Sequence, residues 1–335
     1  MGIESKCIMP LPYYEDDQRE GIIRTEYKNL ESAKWWQEIG IDAVVLYSWG
    51  APRYRKIARA IRQANLKLVI HMDSSGDFVG DFPLGTSWWT KVKRHIRTKA
   101  EDFFRSSHLK QADVITICPT AAQAISQKLF FGKWVQDKCF PMPCPVSPDC
   151  KYEGGEKKDI ILCIGRWNDT FQKRPELLQD CLDTLYRKGC TAETRIYGTI
   201  TDTLRAWHNS LPTEISSKIK LEGYIQNHLL RQQYNLAKIL LCTSLYESSH
   251  IVSAEALCCG CSVVTCNRPV SLRDLHWYTS KNSGTISEED TADSLADAVI
   301  SELLLWAQGK RNPHDIAAAW QPHFHADKVF NQIFN

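Results

Sequence analysis

The sequence predicts an α/β protein built from two doubly wound domains. Its 335 residues are more than twice the commonest domain size of roughly 100 to 150 residues, so two compact domains are expected. Short apolar runs alternate with longer amphipathic segments, a pattern typical of β-α units around a parallel sheet. Hydrophobic residues make up 43% and charged residues 24% of the chain, which excludes collagen-like, coiled-coil and wholly disordered classes.

The first half of the chain contains four predicted strands and four predicted helices, followed by a proline-rich segment. We expect strands at 7–11, 43–47, 68–72 and 114–118, and helices at 30–39, 54–64, 89–105 and 121–129. Four prolines lie between Pro141 and Pro148, a density that excludes both a helix and a central strand. This segment is therefore predicted to separate an N-terminal domain, 1–145, from a C-terminal domain, 146–318.

A second alternating set follows this boundary. Strands are predicted at 160–164, 194–197, 220–222, 239–242 and 262–266, and helices at 175–188, 226–237, 252–258 and 292–308. A last helix is expected at 326–334, within a C-terminal segment, 319–335, that could pack back on the N-terminal domain. Doubly wound sheets bind ligands at the carboxyl ends of their strands, so two such domains predict a ligand cleft between them.

Charge and cysteine content narrow the classes of function. The formal net charge is +2, divided as +4 over residues 1–150 (21 Lys and Arg against 17 Asp and Glu) and −2 over the rest. The thirteen cysteines are scattered and odd in number, which favours a reducing cytoplasm over a disulfide framework. No apolar run approaches the roughly 18 residues that span a bilayer, so we expect a cytoplasmic protein that is soluble or peripheral to a membrane.

Two glutamates eight residues apart carry the strongest functional signal. Glu247 follows the apolar run 239–242 in a predicted strand-to-helix loop, and Glu255 lies about two turns further along the next helix. Backbone N–H groups at this helix N-terminus would present positive partial charge to a phosphate or sugar oxygen. Glu247 could then accept sugar hydroxyls and Glu255 nucleoside hydroxyls. The alternative is that both belong to a solvated helix face.

This stretch resembles the donor site of the family 4 retaining glycosyltransferases, whose GT-B fold has two Rossmann-like domains facing a cleft. Their donor motif is Glu-x7-Glu, continued by Ala, Gly and Val-Val. The positions that match it are Glu247, Glu255, Ala256, Gly260, Val263 and Val264. The resemblance implies a transferase whose co-substrate is a nucleotide-diphosphate sugar, UDP- or GDP-linked.

A second block resembles the Gly-Arg turn and the lysine of the same family. A predicted strand ends at Gly165 and Arg166, and a short loop leads to Lys173. Fixed cations are needed because negative charge grows on the nucleoside diphosphate as it leaves. The resemblance therefore implies catalytic roles for Arg166, Lys173 and Glu247, and Arg174 could share or replace the role of Lys173. The alternative is a surface Arg and Lys at a domain edge.

Further donor contacts are implied by the resemblance. Gly198 and Gly223 end two predicted strands, where glycine permits close approach of backbone to ligand. The family has a glycine-containing turn after its first motif glutamate, and this chain has Ser-Ser-His instead. The loop 10–17 likewise lacks the family's Gly-Gly, which leaves the acceptor side unassigned. The donor-binding positions implied are Gly165, Arg174, Gly198, Gly223, Tyr224, Ser248, Ser249, His250 and Glu255.

His71 ends a predicted strand of the N-terminal domain. The family often has a histidine there that reaches across the cleft to the donor sugar, so the resemblance implies a catalytic role. A histidine after a strand is as often a structural hydrogen-bonding group, and the sequence leaves both roles open.

The segment 88–99 combines aromatic and basic residues. It predicts contact with an anionic membrane surface or an anionic acceptor. The alternative is a solvated helix with a buried aromatic edge. Nucleic acid is not expected, because the basic run is short and the net charge is near neutral. The residues concerned are Trp88, Trp89, Lys91, Lys93, Arg94, Arg97 and Lys99.

These features together predict a metal-independent, retaining hexosyltransferase acting on a hydroxyl of a glycan, glycolipid or other acceptor, in surface polysaccharide or other glycan synthesis. The chain has no strict Asp-x-Asp, and its one Cys-x-x-Cys, Cys258 to Cys261, lies in an apolar stretch, so no metal or cofactor is expected. Two alternatives stay open: a nucleotide-sugar epimerase of GT-B architecture, and a non-catalytic subunit that binds a glycan or a partner. The set Arg166, Lys173, Glu247 and Glu255 argues against the second.

Overall fold

The structure, a computed structural model, describes residues 4–12, 21–48, 50–72, 87–142, 144–247, 249–269 and 273–334. These residues form two compact units. The first unit runs to Pro141 apart from Cys118–Ala121, and the second comprises Cys118–Ala121 and the chain from Met142 onward. The change of unit thus falls within the proline-rich segment.

The strands of the first unit that the structure describes form two parallel sheets. A small sheet pairs β1 (Cys7–Pro10) with β2 (Ile22–Thr25), a strand that the sequence analysis did not predict. The larger sheet has the order β3 (Ala43–Tyr47), β4 (Lys67–His71), β5 (Val114–Ile117) and β6 (Cys139–Pro141). Pro141 lies on the edge strand β6, where an absent N–H interrupts no central ladder.

Local sequence determines where the helices of this part begin. Ser32 caps α2, its Oγ accepting a hydrogen bond from Trp35 N at 3.4 Å, so the helix predicted at 30–39 begins only at Ala33. The short helix α1, which the sequence analysis did not predict, precedes it and ends at Leu30. Pro52 opens α3, because the first helical turn needs no N–H from it. Ser87 caps α4 in the same way as Ser32 caps α2. The helices are α1 (Tyr27–Leu30), α2 (Ala33–Glu38), α3 (Pro52–Gln63), α4 (Trp88–Leu109), α5 (Pro119–Ser126) and α6 (Trp134–Asp137).

The described strands of the second unit form one six-stranded parallel sheet. Its strands are β7 (Lys158–Gly165), β8 (Glu193–Gly198), β9 (Ile219–Gly223), β10 (Ala237–Cys242), β11 (Ser262–Thr265) and β12 (Gly284–Ile286). Their spatial order is β12-β11-β10-β7-β8-β9, the doubly wound order of dinucleotide-binding folds. The direction of strand addition reverses between β7 and β10, which makes their carboxyl ends the topological switch point. All four residues of β11 are buried, as expected for a strand covered on both faces.

Helices cover this sheet and continue to the end of the described chain. They are α7 (Thr170–Lys173), α8 (Pro175–Arg187), α9 (Asp202–Ser210), α10 (Thr213–Ser216), α11 (Asn227–Leu236), α12 (Ile251–Cys258), α13 (Asp274–Trp277), α14 (Ala292–Ala307), α15 (Pro313–Phe324) and α16 (Ala326–Phe334). The sequence analysis missed α15, which contains Pro322, a residue that ordinarily ends a helix. The predicted helix at 326–334 is confirmed as α16, which lies in the second unit and packs against α15.

Two further observations concern the whole described chain. All thirteen cysteines lie in described segments, and none of them forms a disulfide. No helix among the described residues combines the length and the apolar character needed to cross a membrane.

Candidate functional site

Two loops of the second unit meet at the topological switch point. β7 leads directly into the turn that carries α7, and β10 is followed by the loop 243–250, which leads to α12. Thr243 Oγ1 donates a hydrogen bond to the carbonyl of Lys173, and Leu245 N donates one to the carbonyl of Gln172, both at 2.7 Å. These bonds hold the two loops together at the sheet edge where open α/β folds bind ligands.

The centre of the site is an ion pair between Lys173 and Glu247. The Lys173 ammonium donates to Glu247 Oε1, and the two side chains are only 11% and 8% exposed. Gln172 Nε2 donates to the other carboxylate oxygen at 3.2 Å. Burial raises the pKa of the Glu247 carboxyl, but His250, Lys173 and Ser244 outweigh it and hold that pKa below its ordinary value of 4.5. Glu247 is therefore an anion at neutral pH.

His250 adds a second buried group beside this pair. Its Nε2 lies 3.8 Å from Glu247 Oε1 and 3.9 Å from Cys242 Sγ, and its Nδ1 lies 2.6 Å from Ser253 Oγ. Burial lowers the pKa of the imidazole, but Cys242 and Glu247 outweigh burial and raise that pKa above its ordinary value of 6.5. The imidazolium can donate from both ring nitrogens, so protonated His250 supports the charge of Glu247.

Arg166 lies at the exposed side of the site. Its side chain is 68% exposed, and its Nη2 lies 3.4 Å from Asp169 Oδ2 and 3.3 Å from Gln172 Oε1. The amide of Gln172 therefore accepts from Arg166 through its oxygen and donates to Glu247 through its nitrogen. One neutral side chain thus connects two of the predicted catalytic residues, while the guanidinium stays open to a ligand.

Arg174 points to a different carboxylate from Lys173. Its Nη1 lies 2.7 Å from Asp290 Oδ1, and the buried Arg268 donates to the other oxygen of Asp290. Arg268 Nη2 also donates to the carbonyls of Thr243 and Ser244 at 3.3 and 3.0 Å. Arg268 therefore supports the backbone of the loop that carries Glu247.

The charged groups of the site do not cancel. When His250 is protonated, five cationic and three anionic side chains leave a net charge of +2. A site of this sign favours an anionic ligand such as a diphosphate. The cations are Arg166, Lys173, Arg174, His250 and Arg268, and the anions are Asp169, Glu247 and Asp290.

Gly165 and Gly198 lie opposite one another at the ends of β7 and β8. A Cβ atom on Gly198 would lie 1.9 Å from the Gly165 carbonyl oxygen, and the φ of Gly198 is +110°. Glycine is therefore required at 198 by the neighbouring strand, a reason that the sequence analysis did not identify. Gly223, with φ of +74°, ends β9, and the adjacent Tyr224 is 87% exposed. Their predicted donor contacts stay predictions.

Glu255 lies half-buried in α12 and contacts the neighbouring helix. Tyr234 Oη donates to Glu255 Oε2 at 3.1 Å, and the tyrosine itself is fully buried. Burial raises the pKa of the Glu255 carboxyl above its ordinary value of 4.5, and the hydrogen bond from Tyr234 and the charge of Arg231 offset only part of that effect. The solvated helix face that the sequence left open as an alternative does not describe either glutamate.

Of the remaining predicted site residues, one lies in the first unit, one in the loop after Glu247 and one outside the described residues. His71 is a buried residue at the end of β4 in the first unit, and its Nδ1 lies 3.1 Å from Thr116 Oγ1. Ser249 is half-buried in the loop after Glu247, and Ser248 lies outside the described residues. Within the described segments, no group of three or more His, Cys, Asp or Glu side chains could hold a metal ion. That the reaction needs no metal stays a prediction.

Three contributors to the site were not assigned a role from sequence. Gln172 directly precedes the predicted catalytic residue Lys173. That position was the only feature of the sequence that could have suggested a role for Gln172. Arg268 and Asp290 belong to none of the motifs that the sequence analysis identified. Their partners are distant in sequence, so local pattern does not reveal the contacts.

The segment that carries this site also resembles a known protein family. Residues 158–304 match the family model described as glycosyl transferases group 1. The predicted resemblance is confirmed over this segment, which begins with β7, ends within α14 and includes every predicted donor-binding position. No match to a curated protein sequence was found. The assignment to family 4 within this group stays a prediction.

Solved structures share the fold across most of the chain. The outer core lipopolysaccharide galactosyltransferase WaaB has a TM-score of 0.58 at 15% identity, covering 94% of this chain and 84% of WaaB. Anabaena HepE in complex with UDP has a TM-score of 0.59 at 12% identity, covering 90% of this chain and 80% of HepE. A glycosyltransferase from Rickettsia africae ESF-5 has a TM-score of 0.61 at 16% identity, with coverages of 93% and 83%. The predicted GT-B fold is confirmed.

Proposed function

We propose that this protein is a retaining glycosyltransferase that moves a hexose from a nucleotide-diphosphate sugar to an acceptor hydroxyl. The observation that carries the proposal is the buried Lys173–Glu247 pair, with Arg166 beside it, at the switch point of a sheet that matches the group 1 family. The net positive charge of the site supports a diphosphate ligand. UDP in a HepE complex, UDP with glucose in another, and UDP in a complex of S. aureus TarM support a UDP-linked donor.

The proposed reaction uses the two loops at the switch point. Negative charge grows on the diphosphate as its bond to the anomeric carbon breaks, and Arg166 and Lys173 stabilise that charge. Glu247 accepts hydrogen bonds from Lys173 at Oε1 and from Gln172 at Oε2. A carboxylate has about four lone-pair sites, so Glu247 can also accept a sugar hydroxyl. The acceptor hydroxyl attacks from the face that the diphosphate leaves, and its proton passes to a diphosphate oxygen. The transferred sugar therefore keeps its anomeric configuration.

The proposal includes the setting of the reaction. Positive charge from Arg166 and Lys173 takes the place that a divalent ion would have on the diphosphate, so transfer is proposed to be metal-independent. The acceptor is proposed to be a glycan or glycolipid in the cytoplasm, as for surface polysaccharide synthesis. The galactosyltransferase activity named for WaaB belongs to outer core lipopolysaccharide and supports an acceptor of this chemical class.

Ligand screening followed by product analysis tests the proposal. A thermal-shift screen of UDP, GDP and their hexose conjugates should reveal one base that raises the melting temperature. Proton NMR of a reaction with that donor and simple glycan acceptors should show a new glycosidic bond with the anomeric configuration of the donor, with and without a metal chelator. Isomerised donor in the absence of acceptor would indicate the epimerase instead. Nucleotide binding without any turnover would indicate the non-catalytic subunit.

A further inference from the structure

The helix α4 in the first unit begins with two tryptophans that are open to solvent. Trp88 and Trp89 are 65% and 66% exposed, and their ring centroids are 4.6 Å apart. Ile96 and Phe103, further along the same helix, are 63% and 46% exposed. The buried aromatic edge that the sequence left open as an alternative is therefore wrong for both tryptophans.

Four apolar side chains of α4 share one face, and three of them are exposed while Val92 is half-buried. Trp89, Val92, Ile96 and Phe103 are spaced by 3, 4 and 7 residues, which places them within roughly 60° of one another around a helix of 3.6 residues per turn. We call these four residues the α4 stripe. A row of large apolar side chains left in water is typical of a surface that binds a partner or a membrane.

Cations of α4 flank the α4 stripe. Between residues 88 and 100 the helix has five cations and no acidic residue; the first, Glu101, pairs with Arg97 at 2.8 Å. The helix α3, which packs against α4, has five more cations and no acidic residue. Two of these five are paired, Lys56 with Glu31 at 3.4 Å and Arg62 with Asp113 at 2.6 Å. The two sets are Lys91, Lys93, Arg94, Arg97 and Lys99 on α4, and Arg53, Arg55, Lys56, Arg59 and Arg62 on α3.

We propose that the α4 stripe and these cations dock on the surface of an anionic lipid bilayer. An apolar face that bears tryptophan, flanked by Lys and Arg, is typical of helices that lie in the interfacial plane of a membrane. Anionic headgroups complement the cations, and the stripe enters the boundary between headgroups and acyl chains. The aliphatic Val92 and Ile96 favour lipid over nucleic acid, because bases stack on aromatic rings and not on aliphatic side chains. This docking surface is independent of the proposed transfer reaction.

Flotation of the full chain with lipid vesicles tests the docking surface. One set of vesicles is phosphatidylcholine alone, and the other is phosphatidylcholine mixed with phosphatidylglycerol. Two double variants remove either the stripe (Trp89→Ser with Ile96→Ser) or its charge (Lys93→Gln with Arg97→Gln). Leu304→Ser, at a 54% exposed position in the second unit, and Arg187→Gln, with a 73% exposed side chain, are the matched controls.

The proposal predicts a specific pattern of binding. The wild type should float with the anionic vesicles, and less so when salt rises from about 0.01 to about 0.1 M, which shortens the Debye length from about 30 to about 10 Å. The charge variant should partition about 25-fold more weakly, because each Lys or Arg near such a surface contributes about 1 kcal/mol. The stripe variant should lose binding, and both controls should keep it.

Several outcomes would overturn the proposal. The wild type could float with neither kind of vesicle, or it could float equally with both. The control variants could also lose as much vesicle binding as the stripe and charge variants. Tight binding of a single-stranded oligonucleotide with no vesicle binding would assign the surface to nucleic acid. All the changed side chains are exposed, so melting temperatures should not move. The thermal shift caused by a nucleoside diphosphate should persist in every variant, so failed docking and a failed transferase proposal are distinguishable.

Discussion

Removal of the Lys173 ammonium should destabilise the protein far more than removal of an exposed cation. In Lys173→Met the carboxylate of Glu247, 8% exposed, loses its main partner. Breaking a buried ion pair from one side costs about 3 to 5 kcal/mol, and the lower end applies because Gln172 and His250 still face Glu247. We therefore expect a loss of about 3 kcal/mol in the free energy of unfolding. At about 2 to 4 °C per kcal/mol, the melting temperature should fall by about 6 to 12 °C.

Urea unfolding followed by circular dichroism measures this loss, with Arg187→Met as the control for an exposed cation. The control should stay within about 0.5 kcal/mol of the wild type. Adding Glu247→Gln to Lys173→Met should restore at least half of the loss, because a neutral amide costs less to bury than an unpaired carboxylate. A loss below about 1 kcal/mol, or a double variant no more stable than Lys173→Met, would refute the assignment of a buried, energetically coupled pair.

The same pair predicts a dependence on pH. The pKa of Glu247 is lowered in the folded protein, so its stabilisation is present above the ordinary value of 4.5 and is lost as the pH falls through the folded value. The gap in stability between wild type and Lys173→Met should therefore be full at neutral pH and should narrow below pH 4.5. A gap that stays constant across this range would show that the charge of Glu247 does not cause it.

Four further changes test separate parts of the site. Arg166→Ala should lower turnover, measured by steady-state kinetics, by about 100-fold or more, because a preorganised charge is lost. The midpoint of its urea unfolding should not shift. Glu255→Gln should weaken nucleoside diphosphate binding by about 10- to 150-fold, the equivalent of about 1.5 to 3 kcal/mol. Unchanged affinity in calorimetry would exclude Glu255 from donor binding. The folded pKa of His250 is raised, so its stabilisation is complete below 6.5 and is lost as the pH rises through the folded value. In urea unfolding, the free energy of unfolding of His250→Gln should therefore fall further below that of the wild type at about pH 6 than at about pH 9. Equal differences at the two pH values would contradict the charged state of His250. Gly198→Ala would place a Cβ 1.9 Å from the Gly165 carbonyl oxygen. The free energy of unfolding should therefore fall by about 2 kcal/mol or more, and a variant as stable as the wild type would contradict the tight strand contact.

The sequence predicted most strands of the second unit because each is a short apolar run that ends near a glycine or a polar turn. It predicted that Lys173 and Glu247 belong to one site only through a family resemblance, since the two residues are 74 positions apart. The order of the strands depends on pairing between distant segments, which local pattern does not encode. The switch point, which brings the ends of β7 and β10 together, therefore came from the structure.

Some features of the site depend on contacts that no motif marks. Gln172 connects Arg166 with Glu247 only because the loop 243–250 folds over α7. The pKa of His250 is raised because Cys242, the last residue of β10, and Glu247 outweigh the opposing effect of burial. Short elements such as α7 and β12 are stabilised by their tertiary neighbours and have little periodicity of their own.

Calorimetric titration of the full chain with UDP and with GDP tests the central claim most directly. The claim is that the switch point of the second unit binds the diphosphate of a nucleotide sugar through Arg166 and Lys173. One of the two nucleotides should bind to the wild type at a single site. Arg166→Ala should weaken that binding at least about tenfold, as expected for the loss of a charge-assisted hydrogen bond. The control Arg187→Ala should leave the affinity unchanged. If neither nucleotide binds, or if Arg166→Ala binds as tightly as the wild type, the claim is contradicted.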